Sequence, residues 1–217
     1  MFLAETGMKE NNVQQRIKIM LEMQDAMNTR VHPEWRGQGF EWYRAIWIEC
    51  AELLDHYGWK WWKQQTPDIE QVKLELVDIW HFGLSAMLLG QPDNIRLAEE
   101  LAVSFSCAQP GVEFRAGLET FAAHTLVNKT FDAGGFATLL TEVNLPFDEL
   151  YTRYIGKNVL NFFRQDHGYQ DGSYRKVWAG REDNEHLVEV VAQLDTVDPL
   201  FRENLYRALT ERYRQQK

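Results

Sequence analysis

The chain has 217 residues, with 23 basic against 32 acidic side chains and a net charge of −9. No basic tract offsets phosphate repulsion, which excludes a role in coating nucleic acid. Hydrophobic residues at 45% and aromatics at 13% suffice for a buried core, and the length suits one domain over residues 1–217.

No apolar run reaches the roughly 18 residues of a membrane span, and no signal-peptide pattern opens the chain. The two cysteines, Cys50 and Cys107, lie in apolar, helix-like surroundings and read as reduced thiols. The expectation is a cytoplasmic protein with no membrane partner.

Along the chain, residues 11–29 carry Val13, Ile17, Met20, Leu21, Met23 and Met27 near a helical period, and His32-Pro33 end that helix. Gln24 and Asn28, four apart, share one face. Both amides donate and accept at once. They read as surface amides or, if their face meets the carboxylates described next, as groups able to read the edge of a planar base.

From Glu41 to Leu89 two helix-like segments flank a connector rich in Trp and Lys. Glu49 and Glu52 lie on the first segment, Glu75 and Asp78 on the second. Positions three apart lie about 60° from each other on a helix, so each pair shares a face. Two such edges face each other if the segments pack as a hairpin. Ile46, Ile48, Leu53, Leu74, Val77 and Ile79 flank the acids, and almost no Lys or Arg at i±4 balances them. Four half-buried carboxylates repel one another unless a cation sits among them. Hard oxygen donors at this density suit Mg²⁺ or Mn²⁺.

Gly58 is placed to cap the first segment, and Pro67-Asp68 to start the second with an acidic cap. Between them Trp59, Lys60, Trp61, Trp62 and Lys63 read as a hydrophobic lid or as a stacking wall with phosphate-facing lysines. His81 and Phe82 continue the second helix, His81 as a satisfied core residue or a ligand contact.

Gly90, Pro92 and Asp93 break the chain. Helical patterns follow over Ile95–Ala108 and Val112–Lys129, and Gly134-Gly135 open another helix. Residues at about 90–150 carry no chemical motif and read as a variable helical region. A helix from Asp148 then aligns Lys157, Asn161 and Arg164 on one face. The glycine-punctuated stretch after it, with Tyr169, Tyr174, Lys176 and Asn184, reads as a loop able to close on a charged ligand or as a solvated basic loop. The tail from Leu187 to Tyr213 reads as amphipathic helix for packing or dimerisation. The expected class is all-α, a helical bundle with two metal-binding helices.

Glu49-x-x-Glu52, 22 residues, then Glu75-x-x-Asp78 resembles the metal signature of the all-α nucleoside triphosphate pyrophosphatases, which include MazG-like enzymes and dimeric dUTPases. LEMQDAMN around Gln24 and Asn28, the WKWWK connector leading to ELVDIWHF, and KNVLNFFRQDHGYQDGSYRKVW followed by EDN look specifically like dimeric dUTPase. That resemblance implies Mg²⁺-dependent hydrolysis of dUTP, and of dUDP, to dUMP by a homodimer. Glu49, Glu52, Glu75 and Asp78 would hold the metal, with Glu49 or Glu52 as base. Gln24 and Asn28 would read uracil in a pocket formed with Trp62, His81 and Phe82. Lys157, Asn161 and Arg164 would hold sugar and phosphates, and Tyr169, Lys176 and Asn184 would complete the closed site.

Three other readings compete. A related pyrophosphatase could prefer dCTP or another nucleotide. A di-iron carboxylate protein would need Asp78-x-x-His81 to have a counterpart on a neighbouring helix, and the sequence offers none. A non-catalytic nucleotide-binding helical dimer is the third, against which the intact carboxylates, cations and amides argue.

Overall fold

The computed structural model describes residues 2–91, 93–108, 111 and 113–215, with side chains from residue 12 onward. Helices dominate the described residues: α1 (Phe2–Val31), α2 (Trp42–Tyr57), α3 (Ile69–Gly90), α4 (Asn94–Ser106), α5 (Phe114–Asn128), α6 (Ala133–Glu142), α7 (Phe147–Asp166), α8 (Asp183–Val191) and α9 (Phe201–Arg214). None is long and apolar enough to cross a membrane.

Side-chain carboxylates start several of these helices by accepting otherwise orphaned N–H groups. Asp68 accepts from Gln71 N at 3.2 Å, Asp93 from Ile95 N at 2.9 Å and Asp132 from Gly135 N at 3.0 Å. Gly58 ends α2 at φ +91°, a left-handed angle at which a side chain is strained. The acidic cap and the glycine stop expected of the carboxylate hairpin are both present. Pro92 and Val112 lie outside the described residues.

Two stretches depart from the sequence reading. The tail is two helices, α8 and α9, separated at residues 192–200. Asp195 and Asp198 turn back to accept from Val197 N at 3.0 Å and Leu200 N at 2.8 Å, and Pro199 has no N–H with which to continue a helix. Within the glycine-rich stretch, Val177–Trp178 (β1) pairs antiparallel with Arg181–Glu182 (β2). Ala179 at φ 46° and Gly180 at φ 80° form the turn.

The core centres on Trp80 of α3. Its ring stacks on Phe136 at 5.2 Å and 6°, and meets Phe105 edge-on at 5.5 Å. Its indole N–H points to Met20 Sδ of α1 at 3.3 Å. One continuous set of buried side chains runs from Ile17 through Leu53, Leu84 and Phe163 to Leu209. α1, α2, α3 and α7 surround the polar residues of interest, so the aromatic core fixes their mutual positions.

Gly83 lies against the Phe131 ring, and a Cβ built there would sit 2.6 Å from two ring carbons. Gly83→Ala gains about 1 kcal/mol of helix propensity and loses about 3 kcal/mol to overpacking. A net loss of about 2 kcal/mol is expected in urea unfolding.

Candidate active site

α2 and α3 form a hairpin closed at its end by the bond from Asp68 N to His56 O, 3.0 Å. Glu49 and Glu52 of α2 and Glu75 of α3 each offer a carboxylate oxygen within 4.8 Å of the others. Burial, then the charge of Asp78, then a hydrogen bond with Glu75 push the Glu49 carboxyl up to about 9. Burial raises Glu75 as well, while its bond to Glu49 opposes that rise. Both shifts follow from crowding acids together in a half-buried place. The donor set is all oxygen, apart from His56 Nε2 at 3.5 Å from Glu75, and fits a hard divalent cation. Cys50, next to Glu49, is turned into the core, where burial pushes its thiol up to about 12.

Asp78 stands apart from this trio. It accepts from Lys157 Nζ of α7 at 2.8 Å. Lys157 is itself buried and also reaches Asn184 Oδ1 at 3.3 Å. Arg164, about two turns further along α7, forks onto the fully buried Asp183 with bonds of 2.8 and 2.7 Å. Tyr174 donates to the same carboxylate at 2.7 Å. Arg164 Nη1 also reaches Asn161 Oδ1 at 3.2 Å, and Nη2 reaches Asn184 Oδ1 at 3.4 Å. Two expected ligand-binding cations, Lys157 and Arg164, thus converge on Asn184.

A cavity of about 400 Å³ opens beside these groups. Gln24, Asn28, Glu49, Asp78, His81, Phe82, Lys157, Asn161, Arg164 and Tyr169 all line it. Gln24 and Asn28 are buried and bond each other, Nε2 to Oδ1, at 3.0 Å. His81 Nδ1 donates to the Val77 carbonyl at 2.8 Å, which leaves Nε2 as a buried acceptor without a partner. Burial holds its imidazole down to about 4, so the ring is neutral.

Five expected site residues do not line the cavity: Glu52 and Glu75 stand behind Glu49 in the carboxylate trio, Asn184 bonds two of the lining cations, and two lie elsewhere. Lys176 is exposed and pairs with Glu182 at 3.1 Å. Trp62 is 57% exposed and packs edge-on against Trp59 and Trp61 at 5.3 and 5.5 Å.

Other participants come from unweighted positions. Trp35, Phe40 and Trp42 wall the cavity, with Trp42 6.3 Å from Phe82. Trp35 and Phe40 occupy the irregular stretch after α1 and Trp42 opens α2, so no period marks a shared face. Ser85 and Tyr154 bond the two amides. Ser85 was within reach of periodicity, being four residues beyond His81 on the same helix face.

The sequence model of a family described as dUTPase matches residues 16–169, more than half of the chain. The chain belongs to the dUTPase family. No individually curated protein matches it. As a dUTPase it hydrolyses dUTP, and Glu49 joins the carboxylate trio to the lining of the cavity. The family match includes α1 to α7 and Tyr169, while Lys176, Asp183 and Asn184 lie beyond it.

Burial, the largest influence on Asp183, pushes its carboxyl up, but the Arg164 fork outweighs burial and holds it below the ordinary value. Losing this partner leaves a buried guanidinium uncompensated, at about 3 kcal/mol. A depressed native pKa stabilises above the unfolded value and is lost as pH falls through the native one. Asp183→Asn should therefore be about 3 kcal/mol less stable at neutral pH, with the gap to wild type constant down to about pH 4 and closing below it. Urea titrations across pH check both the size and the window.

Proposed function

We propose that this dUTPase is Mg²⁺-dependent, selects uracil through Asn28 with Gln24, and converts dUTP to dUMP and pyrophosphate at the cavity between α1, α2, α3 and α7. The observation that carries the reading is the lining of one cavity by the amides Gln24 and Asn28, the cations Lys157 and Arg164, and the carboxylates Asp78 and Glu49, the last of which belongs to the carboxylate trio. Base recognition, phosphate binding and metal chemistry are thereby adjacent.

A divalent cation held by Glu49, Glu52, Glu75 and Asp78 would polarise phosphate oxygens and acidify a water, with Mn²⁺ as a substitute for Mg²⁺. The chain's own groups do the rest. Glu49 or Glu52 accepts the proton of the attacking water. The new bond forms between water oxygen and the β-phosphorus, and the bond from that phosphorus to the oxygen of the α-phosphate breaks, so dUMP leaves with that oxygen. Attack there makes dUDP a second substrate, releasing inorganic phosphate. Lys157 and Arg164, directed by Asn184 and Asp183, stabilise charge on the phosphoryl oxygens. Asn161 and Tyr169 flank the sugar and phosphates, and His81 and Phe82 complete the base pocket.

A homodimer is part of this reading. Trp62 and Lys176, each directed away from its own cavity, are supported as groups for a partner subunit or a closing movement to bring in. Cys50 and Cys107 are both free thiols, which supports a reducing cytoplasmic setting. There the enzyme would lower dUTP and supply dUMP for dTMP synthesis. Residues 1–217 would act as one domain, with about 90–150 as its variable helical region.

Release of pyrophosphate or phosphate from dUTP, dUDP, dCTP, dTTP and UTP, each with Mg²⁺ and with EDTA, tests the reading. Metal-dependent turnover confined to dUTP and dUDP is expected. Turnover centred on dCTP would keep the carboxylates and overturn the amide assignment. Glu75→Gln should lower kcat by at least about 10²-fold with an unchanged circular dichroism spectrum. Full activity of that variant at saturating Mg²⁺ would sink the metal assignment.

A further inference from the structure

Ser85 is fully buried on α3 and touches both amides of the cavity. Its Oγ accepts from Gln24 Nε2 at 3.0 Å and from Asn28 Nδ2 at 3.0 Å. It donates its single proton to the His81 carbonyl at 3.0 Å, with Asn28 Oδ1 a longer second acceptor at 3.3 Å. Gln24 Nε2 reaches Asn28 Oδ1 with its other proton, and Gln24 Oε1 accepts from Tyr154 OH at 3.0 Å. All four contacts of Ser85 Oγ are thus of matching kind, whereas Tyr154 OH has one proton for two acceptors, Gln24 Oε1 and the Met20 carbonyl.

An amide can be turned over without changing its shape, so this arrangement has rivals. Turning Asn28 alone would set its NH₂ against the NH₂ of Gln24. If both amides are turned over together, they pair again. Tyr154 tolerates that state, because its hydroxyl can donate to the Met20 carbonyl, 2.9 Å away, and accept from Gln24. Ser85 does not tolerate it. Its hydroxyl would face three acceptors, Gln24 Oε1 and Asn28 Oδ1 each at 3.0 Å and the His81 carbonyl, with one proton to give, and its two close donors would be replaced by a single longer one, Asn28 Nδ2 at 3.3 Å. Buried acceptors left without a donor carry a large penalty.

We infer that Ser85 is the positioning residue that sets base specificity, by fixing which way round Asn28 presents its amide to the cavity. Gln24 acts in the same unit: both its N–H groups are directed inward, so it orients Asn28. In the fixed orientation Asn28 retains one N–H and one oxygen lone pair for a ligand. Uracil offers an acceptor at O4 beside a donor at N3, whereas cytosine offers a donor at N4 beside an acceptor at N3. An amide locked one way serves the first pattern in the pose where, turned over, it would serve the second. Selectivity therefore depends on a hydroxyl that need not touch the base. The inference rests on the reading of Asn28 as a uracil contact.

The test compares kcat/KM for dUTP and dCTP with Mg²⁺ in wild type, Ser85→Ala, Ser85→Cys and Asn28→Ala, alongside calorimetric binding of dUMP and dCMP. In Ser85→Ala both amide orientations become admissible. The dUTP-to-dCTP ratio should narrow at least about tenfold, by loss on dUTP and gain on dCTP, with dUMP and dCMP affinities converging. A merely structural role would lower both substrates in parallel, and an unchanged ratio overturns the inference. Ser85→Cys is nearly isosteric but a poor acceptor; a smaller narrowing in the same direction is expected, and it carries the test if Ser85→Ala does not fold. A collapsed ratio in Asn28→Ala with an intact one in both Ser85 variants overturns the lock alone. An intact ratio in Asn28→Ala overturns the uracil reading and the lock with it.

Discussion

Mutual repulsion among acids on two apolar helices is the constraint on which the rest of the structure depends. α2 and α3 are pressed together by Ile46, Leu53, Leu76 and Ile79, all fully buried, and that packing brings Glu49, Glu52 and Glu75 to within 4.8 Å. The fold meets the resulting charge in two ways. Burial and the neighbouring acids push the Glu49 carboxyl up, which weakens its charge, and Asp78 is paired with a buried lysine from α7. Neither is a stabilising device of the usual kind, since burying such groups costs more than a hydrophobic substitute would. They are compatible with a site whose charge balance is completed from outside.

α7 is the second half of that balance. Its Lys157 answers α3, its Arg164 answers α8, and its Tyr154 answers α1. Asp183 and Asn184 open α8 directly after the small hairpin, so the glycine-rich segment is tied at its far end to the cations of α7. The hairpin turn and the capping box of Glu182 and Glu185 place these two residues within reach. The segment the sequence suggests as a loop is thus tied down along its length, with Trp178 fully buried in the core and Tyr174 bonded to Asp183.

Local spacing made much of this readable in advance. Glu49 with Glu52, Lys157 with Arg164, and Gln24 with Asn28 each sit within about one or two helical turns, where three- and four-residue periods define a face. What resisted reading were pairings between distant segments. Nothing in the spacing of Arg164 and Asp183, or of Gln24 and Tyr154, announces a bond, because it is made by helices crossing in space. The aromatic wall of Trp35, Phe40 and Trp42 was hidden for another reason: it spans the irregular stretch after α1 and the start of α2, with no shared period. The tail misled through its apolar pattern, which continues in α9 even though two aspartates and Pro199 interrupt the helix.

Cys50 adjoins Glu49 in sequence, and a thiolate there would turn a hard oxygen site into one attractive to thiophilic ions such as Zn²⁺ or Cd²⁺. The Cys50 side chain is instead packed in the core and is not among the groups that cluster with the carboxylates. The same burial that packs α2 against its neighbours thereby leaves the cluster to oxygen donors and raises the thiol's pKa, which makes it a poor target for oxidation.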